Sequence, residues 1–553
     1  MKSFLSSLKK DYLITISLIL ITILSVFLNI YKKDISPPGF NADEASFAYN
    51  AYSILKTGRD EYGTFMPLRL KSFGDYKMPL YSYLSVPFIA LFGLNETGAR
   101  ALNTFLACLF PLAVFALSYE LFKNKYIGIL SSLFTSTALG LHILGRHAHE
   151  SYLATLLIII SSLFFIRYLK TYSYTTLAYF LISLLLSLFA YQSSRIYAFA
   201  FFILLVIHIV VTKKGKIGIL FLILTISLFS ISDIIYTPTR VSNLLFFNSA
   251  GFQMKIKEIR ESGGSSIIYN KATVGIRTVL NETLKYYSPQ FLIINGDENT
   301  RFGYPEMSLI SPLVYLFFFI GMYYIFKEKE RWRYFLILFF ITAPFSASLS
   351  WAGVSLSRSL FILVPLCIVS SYGVYFFLSG IPQLSLNRIT LSKRKVMVIS
   401  GILLISIEIF FLISSWTFYL FHYPTRSVTI RSWQTGYKQL AHYIKLNYSQ
   451  YDTIYITKNY GMPYIFMLFY LQYPPDQYQK IAKLSIPDKY GFGYVEQYDK
   501  FVFSFPDIPK GNSMYVGFPG EDYSNRIEKY NTSQKKVIRE GIDDIFWITD
   551  SRK

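Results

Sequence analysis

Eleven runs of about twenty predominantly apolar residues follow one another along this chain, near residues 12–30, 98–122, 126–144, 151–168, 174–192, 195–212, 217–235, 307–326, 334–350, 358–379 and 397–421. A helix of that length spans a hydrocarbon core of roughly 30 Å, and in lipid a helix satisfies its own backbone hydrogen bonds. The pattern therefore predicts an all-α polytopic membrane protein of about 11 transmembrane helices. Composition agrees, with 53% hydrophobic, 18% aromatic and 16% charged residues, where soluble domains carry about 25% charged residues.

The net charge of +21, from 54 basic and 33 acidic residues, would suggest nucleic acid in a soluble protein. Here the basic residues gather in short loops between apolar runs. With the N-terminus inside, the cytoplasmic loops hold Lys123 and Lys125; Arg167 and Lys170; Lys213, Lys214 and Lys216; Lys327, Lys329, Arg331 and Arg333; and Arg388, Lys393, Arg394 and Lys395. Five loops obey the positive-inside rule together, and one helix too many would reverse the later ones. The expected partners are membrane lipids and no nucleic acid, and the expected location is the plasma membrane, with the N-terminus cytoplasmic and the C-terminus outside. The first run is followed by Tyr31, Lys32, Lys33 and Asp34 rather than by small residues at a cleavage site, so an uncleaved helix is expected. Cys108 and Cys367 each lie inside an apolar run and read as small core residues.

Residues 1–421 are expected to form the membrane-embedded domain, with large extracytoplasmic loops at 31–97 and 236–306, and residues 422–553 a small extracytoplasmic α/β domain. Strand-like runs at Thr453–Thr457 and Tyr498–Phe505 and a helix-like run at Pro463–Leu471 carry the α/β reading. The tyrosines of this domain suit a small aromatic core, or sugar stacking. In the first loop, Met78–Leu94 is apolar but short and carries Pro79 and Pro87. It reads as an interfacial helix with Tyr81 and Tyr83 at headgroup level.

The charged residues expected outside are the candidates for chemistry. Asp43 and Glu44 follow the first helix within about fifteen residues, where a carboxylate at the membrane surface suits a general base; solvated loop residues are the plainer reading. Asp75 and Lys77 stand at the mouth of the Met78 run, where Lys77 could meet a lipid phosphate or simply anchor the helix. After the third run come Arg146, His149 and Glu150, close enough to a membrane helix to be costly without a purpose. Arg195 and Arg358 fall at helix ends on the side where the positive-inside bias does not place them. An anionic ligand such as a phosphate explains them, and so does pairing with Asp43, Glu44 or Glu150.

This arrangement resembles the C-type glycosyltransferase superfamily, in the branch of dolichyl-phosphate-mannose-protein mannosyltransferases and the lipid A aminoarabinose transferase. The likeness rests on the acidic pair after helix one, the lysine before Pro79-Leu80-Tyr81, the Arg146 to Glu150 element and the terminal domain. It implies a transferase moving a hexose or pentose from a polyprenyl-phosphate carrier to a protein, lipid or glycan hydroxyl, with inversion. Asp43 would be the base, aided by Glu44 or Glu150, where relatives commonly have Asp. Lys77, Arg146, Arg195 and Arg358 would hold the donor phosphate, and Asp75, Tyr81 and His149 are further site candidates. No cofactor is specified beyond an open question over a divalent metal. A histidine of a later loop helps bind metal in one relative, and no His lies between residues 236 and 306, which leaves His149 as the substitute. Rival readings are a lipid-linked glycan flippase or transporter, which would carry polar or broken helices and related halves, and a polysaccharide polymerase or ligase.

Overall fold

The computed structural model describes residues 12–73, 75–236, 250–349, 353–386, 389–486, 493–507, 511–519, 521 and 533–551. It comprises two compact units. Met1–Tyr31, Asn103–Arg146 and Glu150–Tyr419 form the first, and Lys32–Leu102, His147–His149 and Leu420–Lys553 the second.

Six helices are long and apolar enough to cross a membrane: Tyr12–Ile30, Glu96–Phe122, Glu150–Thr171, Ser194–Thr212, Leu356–Gly380 and Lys393–Thr425. The run expected at 126–144 is a broken seventh, Lys125–Thr137 and Leu139–Gly145, bent by 59°. Near this bend the Gly140 amide donates to the Leu309 carbonyl at 2.9 Å, so the bend leaves that group satisfied. The other four expected runs are shorter apolar helices, Tyr174–Ala190, Lys216–Ser232, Pro312–Lys327 and Arg333–Ser348. The last is interrupted near Pro344, which has no amide hydrogen to donate. The chain is a multi-pass membrane protein, with six or seven full-length spans among the described residues.

Small residues bring these helices together, as expected where lipid tails compete with side chains for every apolar contact. A Cβ at Gly321 would lie 2.0 Å from the Val369 carbonyl oxygen, and one at Gly373 would lie 2.3 Å from that of Phe317. Helices Pro312–Lys327 and Leu363–Gly380 thus touch backbone to backbone. Aromatic rings fill the wider gaps: Phe180 and Phe201 meet at 4.9 Å, and Phe201 and Phe339 at the same distance. A carboxyl, Glu408, lies within the long apolar helix Lys393–Thr417. Glu408 is buried and accepts hydrogen bonds from Ser311 Oγ at 2.5 Å and Thr137 Oγ1 at 3.3 Å.

The strands are short: hairpins β1–β2 (Leu70–Ser72, Asp75–Lys77) and β3–β4 (Leu384–Leu386, Ile389–Leu391), then β5 (Thr453–Ile456), β6 (Lys483–Leu484), β7 (Val495–Tyr498), β8 (Phe501–Val502), β9 (Ser513–Gly517), β10 (Ser533–Glu540) and β11 (Asp543–Asp550). The last seven form one mixed sheet in the order β10-β11-β9-β5-β8-β7-β6, with β5 parallel to both β9 and β8. The run expected as one strand at Tyr498–Phe505 is instead split by a turn, because Asp499 takes a positive φ of 46°, a conformation that Asp tolerates. Tyr498 then ends β7 and pairs with Phe501 of β8.

The core of the second unit joins chain segments far apart in sequence. Helix Ala42–Thr57 packs on helices Pro463–Tyr470 and Pro475–Ile481. Phe40 stacks on Phe469 at 4.6 Å, and Tyr49 Oη donates to the Tyr473 carbonyl at 2.9 Å. Most of the domain's tyrosines are core. Tyr437 stacks on Phe466 at 4.0 Å, and Tyr451, Tyr460, Tyr464, Tyr478 and Tyr498 are all buried.

Candidate active site

The acidic pair after the first membrane helix lies in the first turn of a helix. Asn41 caps helix Ala42–Thr57, its side-chain oxygen accepting from the amides of Asp43 and Glu44 at 2.9 and 3.2 Å, while Glu44 reaches back to the Asn41 amide. This is a capping box, and both acids complement the positive end of the helix dipole. The remaining first-turn amide, that of Ala42, donates to Gln434 Oε1 at 2.8 Å. The preceding loop is pinned as well, since a Cβ at Gly39 would lie 2.5 Å from the Trp433 carbonyl oxygen. Only glycine allows that approach.

The two carboxylates have opposite environments. Glu44 is fully buried and engages Arg100 through two bonds, Nε to Oε1 at 2.8 Å and Nη2 to Oε2 at 2.9 Å, and Oε1 also accepts the Ala148 amide at 2.9 Å. Arg100 donates in turn to the Gly39 carbonyl at 2.6 Å. A bidentate, buried pair of this kind fixes orientation. Asp43 faces outward with its side chain 48% exposed, and its Oδ1 lies 2.7 Å from Lys77 Nζ.

Lys77 ends strand β2, which is paired with β1 so that Lys77 lies opposite Leu70. Its side chain is 16% exposed, and its ammonium lies 4.8 Å from the Phe47 ring and 4.5 Å from the Phe73 ring. Among the described residues Asp43 is its hydrogen-bond partner, which engages one of the three N–H donors of an ammonium. Asp75 lies in the same strand, and its side chain is outside the described residues. Tyr81 is completely buried against Phe47 at 5.0 Å. It braces helix Leu80–Phe92 on helix Ala42–Thr57 and is enclosed by protein rather than set at a headgroup.

Arg146, Glu150, Arg195 and Arg358 belong to the first unit, and His149 to the second. Arg146 is fully buried and donates to the carbonyls of Leu28 at 2.5 Å and Tyr31 at 2.8 Å, with Trp416 and Tyr419 rings at 5.5 and 5.6 Å. That is the geometry of a cation capping the end of helix Tyr12–Ile30. Arg195 rests on the Phe229 ring at 5.5 Å. Glu150 and Arg358 are brought to one residue that sequence reasoning missed, Tyr191. The Tyr191 hydroxyl accepts hydrogen bonds from Ser357 and Arg358 and lies in the field of Glu150.

The turn carrying Arg358 is itself anchored. Asp297, nearly fully buried, accepts the Leu356 amide at 2.5 Å and the Asn299 amide at 2.7 Å. Burial pushes its carboxyl up to about 7, with the two amides and Arg358 opposing the rise. Beside it opens a cavity of about 370 Å³ whose lining includes Lys285, Gln290, Asn295, Asp297, Glu298 and Tyr304.

His149 meets His147 edge-on at 5.4 Å between ring centroids, and His147 meets Trp433 in the same way at 5.1 Å. Among the described residues no group of three or more His, Cys, Asp or Glu side chains is placed to hold a metal ion.

Neither a protein-family model nor a curated protein matches the sequence. Solved structures do. ArnT from Cupriavidus metallidurans in the apo state is 12% identical with a TM-score of 0.52, over 96% of this chain and 97% of that chain. The same protein bound to undecaprenyl phosphate is 11% identical with a TM-score of 0.51, over 96% and 97%. The archaeal oligosaccharyltransferase AglB from Archaeoglobus fulgidus, in complex with an inhibitory peptide and a dolichol-phosphate, is 13% identical with a TM-score of 0.47, over 84% of this chain and 64% of that chain. ArnT is a C-type glycosyltransferase, and over nearly its whole length this chain has the same fold.

Proposed function

We propose that the chain is a membrane glycosyltransferase that moves a sugar from a polyprenyl-phosphate carrier to an acceptor hydroxyl on the extracytoplasmic face. The observation that carries this reading is the contact between Asp43 Oδ1 and Lys77 Nζ at 2.7 Å. It sets a half-exposed carboxylate on a rigid helix start beside an aromatic-walled ammonium with donors to offer. A base for the incoming hydroxyl and a cation for the leaving phosphate are what glycosyl transfer from a lipid phosphate requires. That a structure of the same fold has been seen with undecaprenyl phosphate supports the choice of donor class.

In the proposed step the acceptor oxygen attacks the anomeric carbon, its proton passes to Asp43, and the bond from that carbon to the phosphate oxygen breaks. The electron pair stays on the phosphate, whose charge Lys77 receives. One displacement inverts the anomeric centre. The Lys77 ammonium can hold Asp43 and the phosphate through different N–H donors, and the charge of the arriving phosphate loosens its pairing with the base. Glu44 acts through geometry, since its oxygens are engaged by Arg100 and backbone. Arg358 and Arg195 are proposed as further anion ligands of the membrane unit, Glu150 as the carboxylate that orients Tyr191 and Arg358, and Arg146 as the helix cap already described. The loop charges support eleven spans with the N-terminus in the cytoplasm. The sugar is a hexose or pentose, and the acceptor a protein, lipid or glycan.

The test is turnover of a panel of polyprenyl-phosphate sugars by the wild type and by Asp43→Asn, both shown to be folded. We expect one donor to be used and the variant to lose at least about a hundredfold. Equal activity of the two proteins would remove Asp43 from the reaction, and failure of the wild type on every donor would favour the flippase and polymerase readings.

A further inference from the structure

Glu61 is a buried carboxyl that the reaction above does not use. It follows helix Ala42–Thr57 and is completely buried. Tyr464 Oη, from helix Pro463–Tyr470, donates to its Oε1 at 2.8 Å, and Asn50 Nδ2 donates to its Oε2 at 3.0 Å. The Glu61 amide returns a bond to Asn50 Oδ1 at 3.0 Å, so both ends of the residue are held to the helix that carries Asp43. Lys77 lies one ring away from the Tyr464–Glu61 pair: Phe73 meets Tyr464 edge-on at 6.0 Å, and the Lys77 ammonium stands 4.5 Å from the same Phe73 ring, so its field reaches the Glu61 carboxyl. The other titratable groups around it are Asp60 next in the chain, Tyr49 on helix Ala42–Thr57, Tyr464 on helix Pro463–Tyr470 and Tyr478 on helix Pro475–Ile481.

Lys77 thus has one carboxylate at its open side, Asp43, and a second in its buried field, with Phe47 and Phe73 as walls. Whatever charge Glu61 carries adds to or subtracts from the pull that the ammonium exerts on an arriving anion. We propose that Glu61 is a positioning residue that sets, from the buried side, how firmly Lys77 holds a phosphate. Its effect would run through charge and not through contact: a protonated Glu61 leaves Asp43 as the negative charge beside Lys77, whereas an ionised Glu61 adds a second, buried negative charge that lowers the pull of the ammonium on the ligand. Burial pushes the Glu61 carboxyl up to about 8, while Tyr464 and Asn50, both donating to the charged form, pull it down. The changeover therefore falls just above neutral pH. This inference rests on Lys77 being a phosphate ligand, as proposed above.

The experiment is binding of undecaprenyl phosphate to the purified full-length protein in detergent, titrated from below neutral to alkaline pH, for the wild type, Glu61→Gln, Tyr464→Phe and Lys77→Ala. The phosphate's own ionisation is common to all four and cancels when profiles are compared. We expect wild-type affinity to fall about tenfold as pH rises through the changeover, the usual scale of coupling between two sites. Glu61→Gln, which keeps side-chain shape but loses the charge, should show no such fall. Tyr464→Phe retains the carboxyl and loses a bond to its ionised form, so its fall should move to higher pH. Lys77→Ala should bind weakly throughout. A Glu61→Gln profile that follows the wild type, or a Tyr464→Phe profile displaced to lower pH, would overturn the inference alone. A wild type that binds no better than Lys77→Ala at any pH would overturn the phosphate-binding role of Lys77 and the inference with it.

Discussion

Replacing Arg100 by methionine tests whether the base is held in place by the Glu44 ion pair. In the wild type Glu44 is fully buried and Arg100 nearly so, at 0% and 7% side-chain exposure. Without Arg100 the Glu44 carboxylate would keep only neutral partners, the Ala148 amide at 2.9 Å and the Asn41 amide and side chain at 3.3 Å each. Removing one member of such a pair strands a charge and costs about 3–5 kcal/mol. Removing both is milder, so Glu44→Gln combined with Arg100→Met should recover about 1–3 kcal/mol of that loss. Hydrogen exchange of the amides of helix Ala42–Thr57 reads the opening free energy of the affected segment directly. Because the pair is buried, the difference should survive high salt. Exchange slowed or hastened by less than about 1 kcal/mol in Arg100→Met would refute the argument, as would a double variant no better than the sum of the single ones.

Other expectations follow from the same geometry. Gly39→Ala forces a methyl against the Trp433 carbonyl oxygen at 2.5 Å and Thr435 Cγ2 at 2.9 Å; it should cost about 1–3 kcal/mol and raise exchange at the start of helix Ala42–Thr57. Tyr191→Phe removes the acceptor for Ser357 and Arg358 and should weaken donor binding by about tenfold, as expected for one hydrogen bond to a charged group, with turnover at saturation little changed. The Asp297 carboxyl stands at about 7 in the folded state against 3.8 ordinarily, so the folded protein binds a proton that the unfolded chain has released. Stability should therefore decline as pH rises from about 4 to 7 and then level off, by roughly 4 kcal/mol at 1.36 kcal/mol per pH unit. Asp297→Asn should flatten that decline in thermal unfolding scans, and an unchanged slope would show that Asp297 is not the group responsible.

Sequence reasoning reached the membrane helices because a run of twenty apolar residues has few other fates, and it reached Asp43 and Lys77 through their place beside helices. The residues alone could not tell Asp43 from Glu44, since adjacent residues of one charge look alike until a helix turns them 100° apart; the choice of Asp43 as base came from the family resemblance. A signal was present: Asn41 followed three residues later by Glu44 is a capping-box pattern, which marks a helix start and gives Glu44 a backbone partner. Arg100, the lone cation of helix Glu96–Phe122 and close to its start, was another. The roles of Glu61, Tyr191 and Asp297 had no such mark, because each depends on partners that lie far away in the chain. The split of the strand at Asp499 was hidden for a different reason, as an aspartate accepts either sign of φ and its neighbours Tyr498 and Phe501 suit a strand on both sides of the turn.

The shared core of the second unit also sets the order in which the protein can mature. Tyr49 and Tyr473, which hydrogen-bond, lie 424 residues apart, and Glu61 and Tyr464 lie 403 apart. At a synthesis rate of about 5–20 residues per second, the helix bearing Asp43 can pack on helix Leu80–Phe92 early but waits roughly 20–80 s after leaving the ribosome before these later partners exist. During that interval the face bearing Tyr49, whose ring meets Tyr478 at 6.2 Å in the finished core, lacks that cover. A chain stopped short of residue 463 would hold every membrane helix and still lack the late packing partners of helix Ala42–Thr57, which carries the proposed base. Completion of the last quarter of the polypeptide is thus a checkpoint on activity, and nascent or truncated copies in the membrane are expected to be inert.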